Sequence, residues 1–406
     1  MLTRALNAYL SAFAGLNRNI WMLALVSFIN RAGTMVFPFL AVYLTQELGF
    51  SKPQAALILT SFGAGAVFGT ILGGRLSDKI GFYKVMFWSL FITGILFFFL
   101  QHISSLVGLC LAVFVVGVVG DSFRPANMAS ISAYCKPEHY TRSLSLVRLA
   151  INLGFGMGPA LGGILAHGFG YHWLFWVDGV TCIGAALLLR YFLVEKKTGP
   201  KQSEDVLQPI EKVLSPYRDK QFLIFMLLVA LNSIAFLQFF SMVPVFLKEA
   251  WHWEENIIGF LIAGNGIIIT FVEMPLIFHL EGRHRKISLV MLGALMIGLG
   301  FMLLNFVPHR ASAALLCLVA ITFGEIFQLP FANSLVIDRS SASNRGLYLG
   351  LYSSAWSFGQ IIAPNIGMNV ADTWGFSTLW YILSGFCLLG WLGFWWLRRT
   401  GFEKTI

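Results

Sequence analysis

Apolar residues occur in this chain as long runs separated by short polar turns. Each run is long enough to cross a bilayer as an α-helix, which takes about 20 residues. We therefore predict twelve membrane-spanning helices, six on each side of a longer polar segment. Their approximate bounds are 20–45, 54–76, 84–101, 106–130, 143–167, 171–193, 221–247, 256–280, 286–306, 313–336, 345–369 and 374–397. The pattern predicts an all-α polytopic membrane protein with twelve transmembrane helices.

The polar segment at 195–220 contains several helix-breaking residues and no run that is able to span: Gly199, Pro200, Pro209 and Pro216. We predict that it is a linker, with one short surface helix near 206–214, between an N-terminal bundle (1–194) and a C-terminal bundle (221–406). Ahead of the first span, apolar residues recur at helical spacing and predict a helix on the membrane surface. They are Leu2, Leu6, Tyr9, Leu10, Phe13 and Leu16.

Composition excludes several classes of protein. The chain is 57% hydrophobic and 12% charged, whereas about 25% of residues in a soluble globular protein are charged. The net charge of +9 does not indicate nucleic-acid binding, because Lys and Arg cluster in the turns between apolar runs. The cysteines are scattered, odd in number and mostly inside apolar runs, so we expect neither a disulfide framework nor a metal cluster. They are Cys110, Cys135, Cys182, Cys317 and Cys387. We also predict that the protein uses no cofactor.

Positive charge is distributed unequally between the two membrane faces. If the N-terminus lies inside, the outer turns hold only Lys52, Lys248 and Arg310, and 23 of the 28 Lys and Arg residues lie on or near the inner face. Cytoplasmic loops carry such an excess. We therefore predict a multi-pass protein of the cell (plasma or inner) membrane with both termini in the cytoplasm.

The turn between the second and third spans carries a charged sequence, which we call the signature stretch: Gly74-Arg75-Leu76-Ser77-Asp78-Lys79-Ile80-Gly81-Phe82-Tyr83-Lys84. Its Gly, Leu, Asp, Gly and trailing basic residue resemble the signature loop of the major facilitator superfamily. That family usually has basic residues at Phe82 and Tyr83; here the basic residue is displaced to Lys84. The resemblance implies a conformational switch at Gly74, Asp78, Gly81 and Lys84, with Arg345 at the start of the eleventh span as a partner for Asp78.

The fifth span carries a second motif, Gly154-Phe155-Gly156-Met157-Gly158-Pro159-Ala160-Leu161-Gly162-Gly163. It resembles the Gly-x-x-x-Gly-Pro-x-x-Gly-Gly signature of the drug/proton antiporter branch of the same superfamily. Glycines at four-residue spacing allow a second helix backbone to approach, and Pro159 introduces a bend. We expect Gly154, Gly158, Pro159 and Gly162 to take part in the conformational switch; generic small-residue packing is the alternative.

The two halves of the chain also resemble each other. Gly120-Asp121, Pro125, Asn127 and Arg142 have counterparts in Gly324-Glu325, Pro330, Asn333 and Arg345 at a nearly constant offset of 203 to 206 residues. Such a repeat is how the major facilitator fold is built, from two pseudo-symmetric six-helix bundles with substrate bound between the halves near the midplane. The resemblance therefore implies that fold for the whole chain.

Ionisable groups inside spans are functional candidates, because each costs a few kcal/mol on insertion. Arg31, next to Asn30, and Glu325 lie near the midpoints of their spans without a neutralising neighbour in sequence. Asp121 and Arg124, three residues apart, fit a structural pair within one helix equally well. Three candidates remain. Arg148 lies one turn from Asn152, and its charge is equally consistent with a side chain that snorkels to the inner face. Asp178 follows two tryptophans and is consistent with an interfacial polar residue, and Glu273 lies beside Pro275.

From these candidates we predict a substrate site and a proton site. Arg31, Asn30, Arg124, Asn152 and Glu325 are the substrate-binding candidates. Glu325 is the first candidate for proton coupling, followed by Glu273 and Asp121, because burial favours the neutral form of a carboxylic acid and lets it exchange a proton when water reaches it. The chain has no Gly-x-x-x-x-Gly-Lys-Ser/Thr loop, so the proton gradient is the expected energy source.

The first functional hypothesis is a monomeric, proton-coupled transporter, similar to drug/proton antiporters, that exports amphipathic small molecules or drugs by alternating access. The alternative is a symporter for peptide-like or other zwitterionic solutes: Asn30-Arg31, Tyr43 and Gly324-Glu325 look like proton-coupled peptide symporters, although no acid precedes Arg31 in the manner of their Glu-x-x-Glu-Arg motif. A membrane enzyme or a sensor is disfavoured, since the chain has neither His-Glu-x-x-His nor Gly-x-Ser-x-Gly. The expected partners are a small molecule, protons and lipid.

Overall fold

The computed structural model describes residues 16–136, 139–196, 215–280, 282–340 and 344–403. Within these ranges the chain is almost entirely helical, as predicted from the apolar runs. The spans are Arg18–Ala32 with Val36–Val42 and a π-helical turn Tyr43–Glu47 (span 1), Lys52–Ile80 (2), Phe82–Leu100 (3), Leu106–Asp121 with Phe123–Tyr134 (4), Tyr140–Phe169 (5), His172–Phe192 (6), Lys220–Glu249 (7), Glu255–Leu280 (8), Lys286–Phe306 (9), Arg310–Arg339 (10) and Arg345–Arg399 (11 and 12). A short 3₁₀ helix, Pro216–Arg218, precedes span 7.

The last helix holds two spans. In the part of the chain that the structure describes, eleven helices are long and apolar enough to cross a membrane, and the longest of these has 53 residues. At 1.5 Å per residue it is far longer than the ~30 Å hydrocarbon core. Its backbone leaves the helical region at Gly375, with φ 82° and ψ 166°, a conformation that favours glycine. Spans 11 and 12 therefore meet at Gly375, and the predicted all-α fold is confirmed.

Two predicted helices are interrupted. Span 1, which we expected to be continuous over 20–45, leaves the helix between Ala32 and Val36, and span 4 is divided at Ser122. Pro125 lies in the first turn of the second part of span 4, where proline is tolerated because the first amide groups of a helix lack intrahelical acceptors. In span 1, Gly33 and Pro38 oppose a continuous helix through 33–35, and a contact with span 6 that is described below holds the break.

The signature stretch is not a loop over most of its length. We expected a charged turn at 74–84, but span 2 stays helical to Ile80 and the next helix begins at Phe82. The turn consists of Gly81, whose φ of 91° is strained for any residue with a Cβ atom. Residues 75–80 contain no glycine or proline, and their charged side chains do not by themselves end the helix.

The chain forms two compact units. The first contains the described residues of Met1–Leu40, Ser61–Ser203 and Glu254–Ile267, and the second those of Ala41–Thr60, Glu204–Trp253 and Ile268–Ile406. Each has its own buried core, with Phe82, Tyr134 and Leu189 in the first and Phe222, Phe225 and Phe394 in the second. The predicted surface helix before span 1 lies outside the described residues except for Leu16, and that of the linker lies wholly outside them.

Charged side chains tie together several helix ends in the second unit. Asp219 caps span 7 by accepting a hydrogen bond from the Phe222 amide at 3.1 Å. Arg339, at the end of span 10, donates to both carboxylate oxygens of Asp219 at 2.5 and 2.8 Å and to the Phe402 carbonyl at 2.9 Å. Burial opposes the charged form of Asp219, but the hydrogen bonds from Arg339 and Phe222 outweigh it and hold the pKa of this carboxyl below its ordinary value. Glu403 caps span 9 through the Lys286 amide at 2.9 Å.

Candidate functional site

The break in span 1 is held by a carboxylate from span 6. Asp178 is fully buried, and its side chain accepts hydrogen bonds from the backbone amides of Met35 and Val36 at 2.9 to 3.0 Å. Amide groups at the start of a helix have no acceptor within that helix and must find one inside a bilayer. Asp178 supplies that acceptor, so span 1 can stop at Ala32 and begin again at Val36.

The sequence favours an interfacial polar residue at Asp178; the structure shows in addition that its side chain is completely buried within the protein. Its burial and its bonds to span 1 make it part of the packed interior of the first unit. The contact joins residues 143 positions apart in the chain, so no local pattern reports it. The only available signal was the rarity of an aspartate inside an apolar run.

Glycines of the fifth-span motif face the broken part of span 1. A Cβ atom at Gly154 would lie 2.7 Å from the Phe28 carbonyl oxygen, and one at Gly158 would lie 3.2 Å from that of Arg31. Gly162 faces Met35 in the same way. At Gly154 a Cβ atom would overlap the backbone of span 1, so the two spans approach this closely there only while that position stays glycine. At Gly158 and Gly162 a Cβ atom would require the neighbouring atoms to shift by a few tenths of an ångström.

Other glycines of the same motif face span 8. A Cβ atom at Gly163 would lie 2.3 Å from the Glu255 carbonyl oxygen, and one at Gly259 would lie 2.2 Å from that of Pro159. Gly156 and Gly266 meet almost backbone to backbone, since a Cβ atom at Gly266 would lie 2.5 Å from the Gly156 Cα. Span 5 is thus packed on two faces through small residues, against span 1 on one and against the first part of span 8 on the other.

Arg31 lies directly before the break and is half-buried. It makes no ion pair within the part of the chain that the structure describes, although its charge is within electrostatic range of Arg124 and Asp121. Its neighbour Asn30 contacts the Cys182 thiol on span 6 at 3.9 Å. A guanidinium inside a bilayer normally has a partner, so Arg31 is available for an anionic group.

Asp121 and Arg124 pair with each other. Arg124 Nε lies 2.5 Å from Asp121 Oδ1; the aspartate is buried and half of the arginine side chain is exposed. This is the structural pair that the spacing of three residues allowed. One turn further along span 4, Asn127 donates a hydrogen bond to Ser27 on span 1 at 3.2 Å, which fixes the kinked part of span 4 against the helix that carries Arg31.

The remaining in-span candidates differ in surroundings. Glu325 and Glu273 are both half-buried in the second unit. Gly324, beside Glu325, packs against span 9, where a Cβ atom would lie 2.6 Å from Ile297. Asn152 is half-buried in the first unit, in the turn of span 5 that precedes Gly154.

In the signature stretch, Asp78 is exposed and makes no hydrogen bond or ion pair with the rest of the described chain. A Cβ atom at Gly74 would meet nothing within 4 Å. The Lys84 Nζ atom lies 3.6 Å from Glu195 Oε1, three residues beyond the end of span 6. Arg345 is the first residue of span 11. The switching role of these residues stays a prediction.

Comparison with known proteins places the chain in a family. A sequence profile of the Major Facilitator Superfamily matches residues 23–364 and, again, 323–405. The MFS-type transporter YqjV of Bacillus subtilis (strain 168) is 25% identical over 379 residues, covering 91% of each protein. A Na(+), Li(+), K(+)/H(+) antiporter of Planococcus maritimus is 23% identical and covers 93% of this chain and 95% of that protein.

Solved structures agree on the fold. The nucleoside transporter NupG superposes with a TM-score of 0.80 at 16% identity, covering 93% of this chain and 99% of that one. A peptide transporter POT superposes with a TM-score of 0.77 at 16% identity, covering 96% of both. The predicted family is therefore confirmed: the chain belongs to the Major Facilitator Superfamily and is a membrane transporter, not an enzyme.

Proposed function

We propose that this transporter is a proton-coupled antiporter that exports amphipathic small molecules, and that Arg31 binds an anionic group of the substrate. The observation that carries the proposal is the state of the charges in spans 1 and 4. Asp121 is paired with Arg124, whereas Arg31 has no ion pair in the described chain. Inserting an arginine without a neutralising partner into a membrane costs about 3 kcal/mol on insertion scales. Such a cost is expected to persist in evolution where the charge binds a ligand.

Two further findings support antiport. The fifth-span motif resembles that of drug/proton antiporters, and one relative along nearly the whole chain is named as a cation/proton antiporter. A half-buried carboxylic acid such as Glu325 or Glu273 is the group type that takes up and releases a proton as water access changes. We infer that Glu325 carries the coupled proton and that the protein acts in the plasma membrane with both termini in the cytoplasm.

A thermal-shift screen on the purified transporter tests the substrate class. We expect amphipathic carboxylates and sulfonates to raise the melting temperature more than neutral compounds of the same shape, and Arg31→Ala to remove that difference. Dipeptides form the second arm, because peptide uptake is the alternative function. Stabilisation by dipeptides alone would overturn export of amphipathic molecules in favour of the symporter.

A further inference from the structure

Span 6 presents one face to the broken part of span 1. Asp178 accepts the Met35 and Val36 amides. Three residues on, Thr181 lies so close to Gly33 that a Cβ atom there would come within 2.0 Å of its hydroxyl oxygen. These contacts lie just beyond Arg31 in the chain. Span 6 therefore helps to set the path of the backbone after Arg31, together with the Thr34 hydroxyl, which donates a hydrogen bond to the Arg31 carbonyl.

The opposite face of span 6 is supported by span 3. A Cβ atom at Gly179 would lie 3.0 Å from the Gly94 carbonyl oxygen and 2.6 Å from the Phe98 ring. Span 6 thus has little freedom to follow span 1 if span 1 moves. A carboxylate on a helix held in this way is suited to fix the geometry of its neighbour.

We propose that Asp178 is a positioning residue for substrate binding: by accepting the amides of Met35 and Val36 it holds the break in span 1 and thereby the backbone that carries Arg31. The proposal rests on the proposed function in that Arg31 is taken as the ligand of an anionic substrate group. Without Asp178 the two amides lose their acceptor, and inside a bilayer the segment responds by seeking other hydrogen bonds. Pro38 cannot donate to the Thr34 carbonyl and its ring would crowd that carbonyl in a continuous helix. The Met35–Val36 segment therefore has to turn toward other acceptors, and this moves Arg31 relative to the rest of the site.

The test measures recognition of the anion. The readout is the anion preference, defined as the dissociation constant of 2-naphthamide divided by that of 2-naphthoate, measured by calorimetry on the full chain in nanodiscs. The two probes share shape and differ in charge. We expect the wild type to prefer naphthoate by about tenfold or more, as a hydrogen bond to a charged group implies, and Asp178→Ala to lower that preference about tenfold.

A second substitution distinguishes positioning from general damage. Val36 is the first residue of its helix, a position where proline is favoured because its missing N–H needs no acceptor. Val36→Pro in the Asp178→Ala background removes one of the two unsatisfied donors and fixes φ at the start of the helix. We expect it to restore at least a third of the lost preference. Gly184→Ala is the matched control on span 6, because a Cβ atom there meets nothing within 4 Å; its preference should equal that of the wild type.

Asp178→Asn keeps the shape of the side chain and serves if the alanine variant does not fold. Its NH₂ group faces the Met35 amide, donor against donor, so we expect a preference between those of wild type and alanine. A wild-type preference in both Asp178 variants would overturn the positioning role alone. If Asp178→Asn loses pH-driven transport while its anion preference is unchanged, the positioning role is also overturned, and Asp178 is instead a proton-transfer residue. A wild type without anion preference, or Arg31→Ala with full preference, would overturn the Arg31 site as well.

Discussion

The contact between spans 5 and 8 predicts that Gly163→Ala shifts the conformational equilibrium of the transporter. The added Cβ atom would lie 2.3 Å from the Glu255 carbonyl oxygen and 3.0 Å from the Asn256 Cα, and both are backbone atoms. Ordinary contact for a Cβ atom begins near 3.4 Å, so the two helices must separate locally by about 1 Å. Neither contact involves a side chain that could rotate away from the added Cβ atom.

Overpacking of this kind costs about 1–3 kcal/mol. If spans 5 and 8 separate during alternating access, that cost falls only on the state in which they touch. The population of that state relative to the separated one should then fall about 5- to 150-fold. Gly168→Ala is the matched control on span 5, because a Cβ atom there meets nothing within 4 Å. The control should leave the equilibrium unchanged and at most favour the helix by a few tenths to about 1 kcal/mol.

Electron spin resonance distance measurements provide the assay. Spin labels at the exposed positions Phe169 on span 5 and Ile257 on span 8 report the separation of the two helices in nanodiscs. We expect Gly163→Ala to move the distance distribution toward longer separations, and Gly168→Ala to match the wild type. A wild-type distribution for Gly163→Ala would show that the glycine contact does not limit the approach of the two helices.

Three further predictions concern other parts of the molecule. Arg339→Ala leaves the buried Asp219 carboxylate without its ion pair and should destabilise the fold by about 3 kcal/mol at neutral pH. The pKa of Asp219 is lowered in the folded state. The difference in melting temperature between the wild type and the variant should therefore persist above the ordinary pKa of about 3.9 and shrink as pH falls below it. Asp78→Asn should abolish transport in proteoliposomes while substrate affinity stays nearly unchanged, and normal transport would refute a switching role. Arg31→Lys should lose most of the substrate affinity lost in Arg31→Ala, since lysine keeps the charge but not the planar fork; full affinity in the lysine variant would exclude a bidentate contact.

The spans themselves could be predicted closely from the sequence. Span 9 was predicted at 286–306 and runs over Lys286–Phe306, and span 8, predicted at 256–280, runs over Glu255–Leu280. The reason is that a bilayer imposes one requirement, a helix of sufficient apolar length, and the sequence reports that length directly. The Asp121–Arg124 pair was also predictable, because its partners are three residues apart on one helix.

The residue that holds the break in span 1 could not be predicted in this way, although Gly33 and Pro38 signal the break itself. Gly33 and Thr34 lie inside an apolar run, and the acceptor that permits the break belongs to span 6. The two faces of span 5 were equally hidden: the sequence shows that glycines recur, but only tertiary packing decides that Gly154 meets span 1 and Gly163 meets span 8. Local patterns determine where helices form, whereas contacts between distant spans determine which positions line a site.

Simultaneous measurement of proton and substrate fluxes in proteoliposomes tests the central claim most directly. With an imposed pH gradient, the wild type should move naphthoate against its own gradient while protons move in the opposite direction. Glu325→Gln keeps the shape of the side chain and removes its proton site, so gradient-driven flux should disappear while exchange of bound substrate continues. Gradient-driven flux at the wild-type rate in Glu325→Gln would show that Glu325 is not the coupling residue, and substrate flux without any proton flux in the wild type would contradict proton-coupled antiport itself.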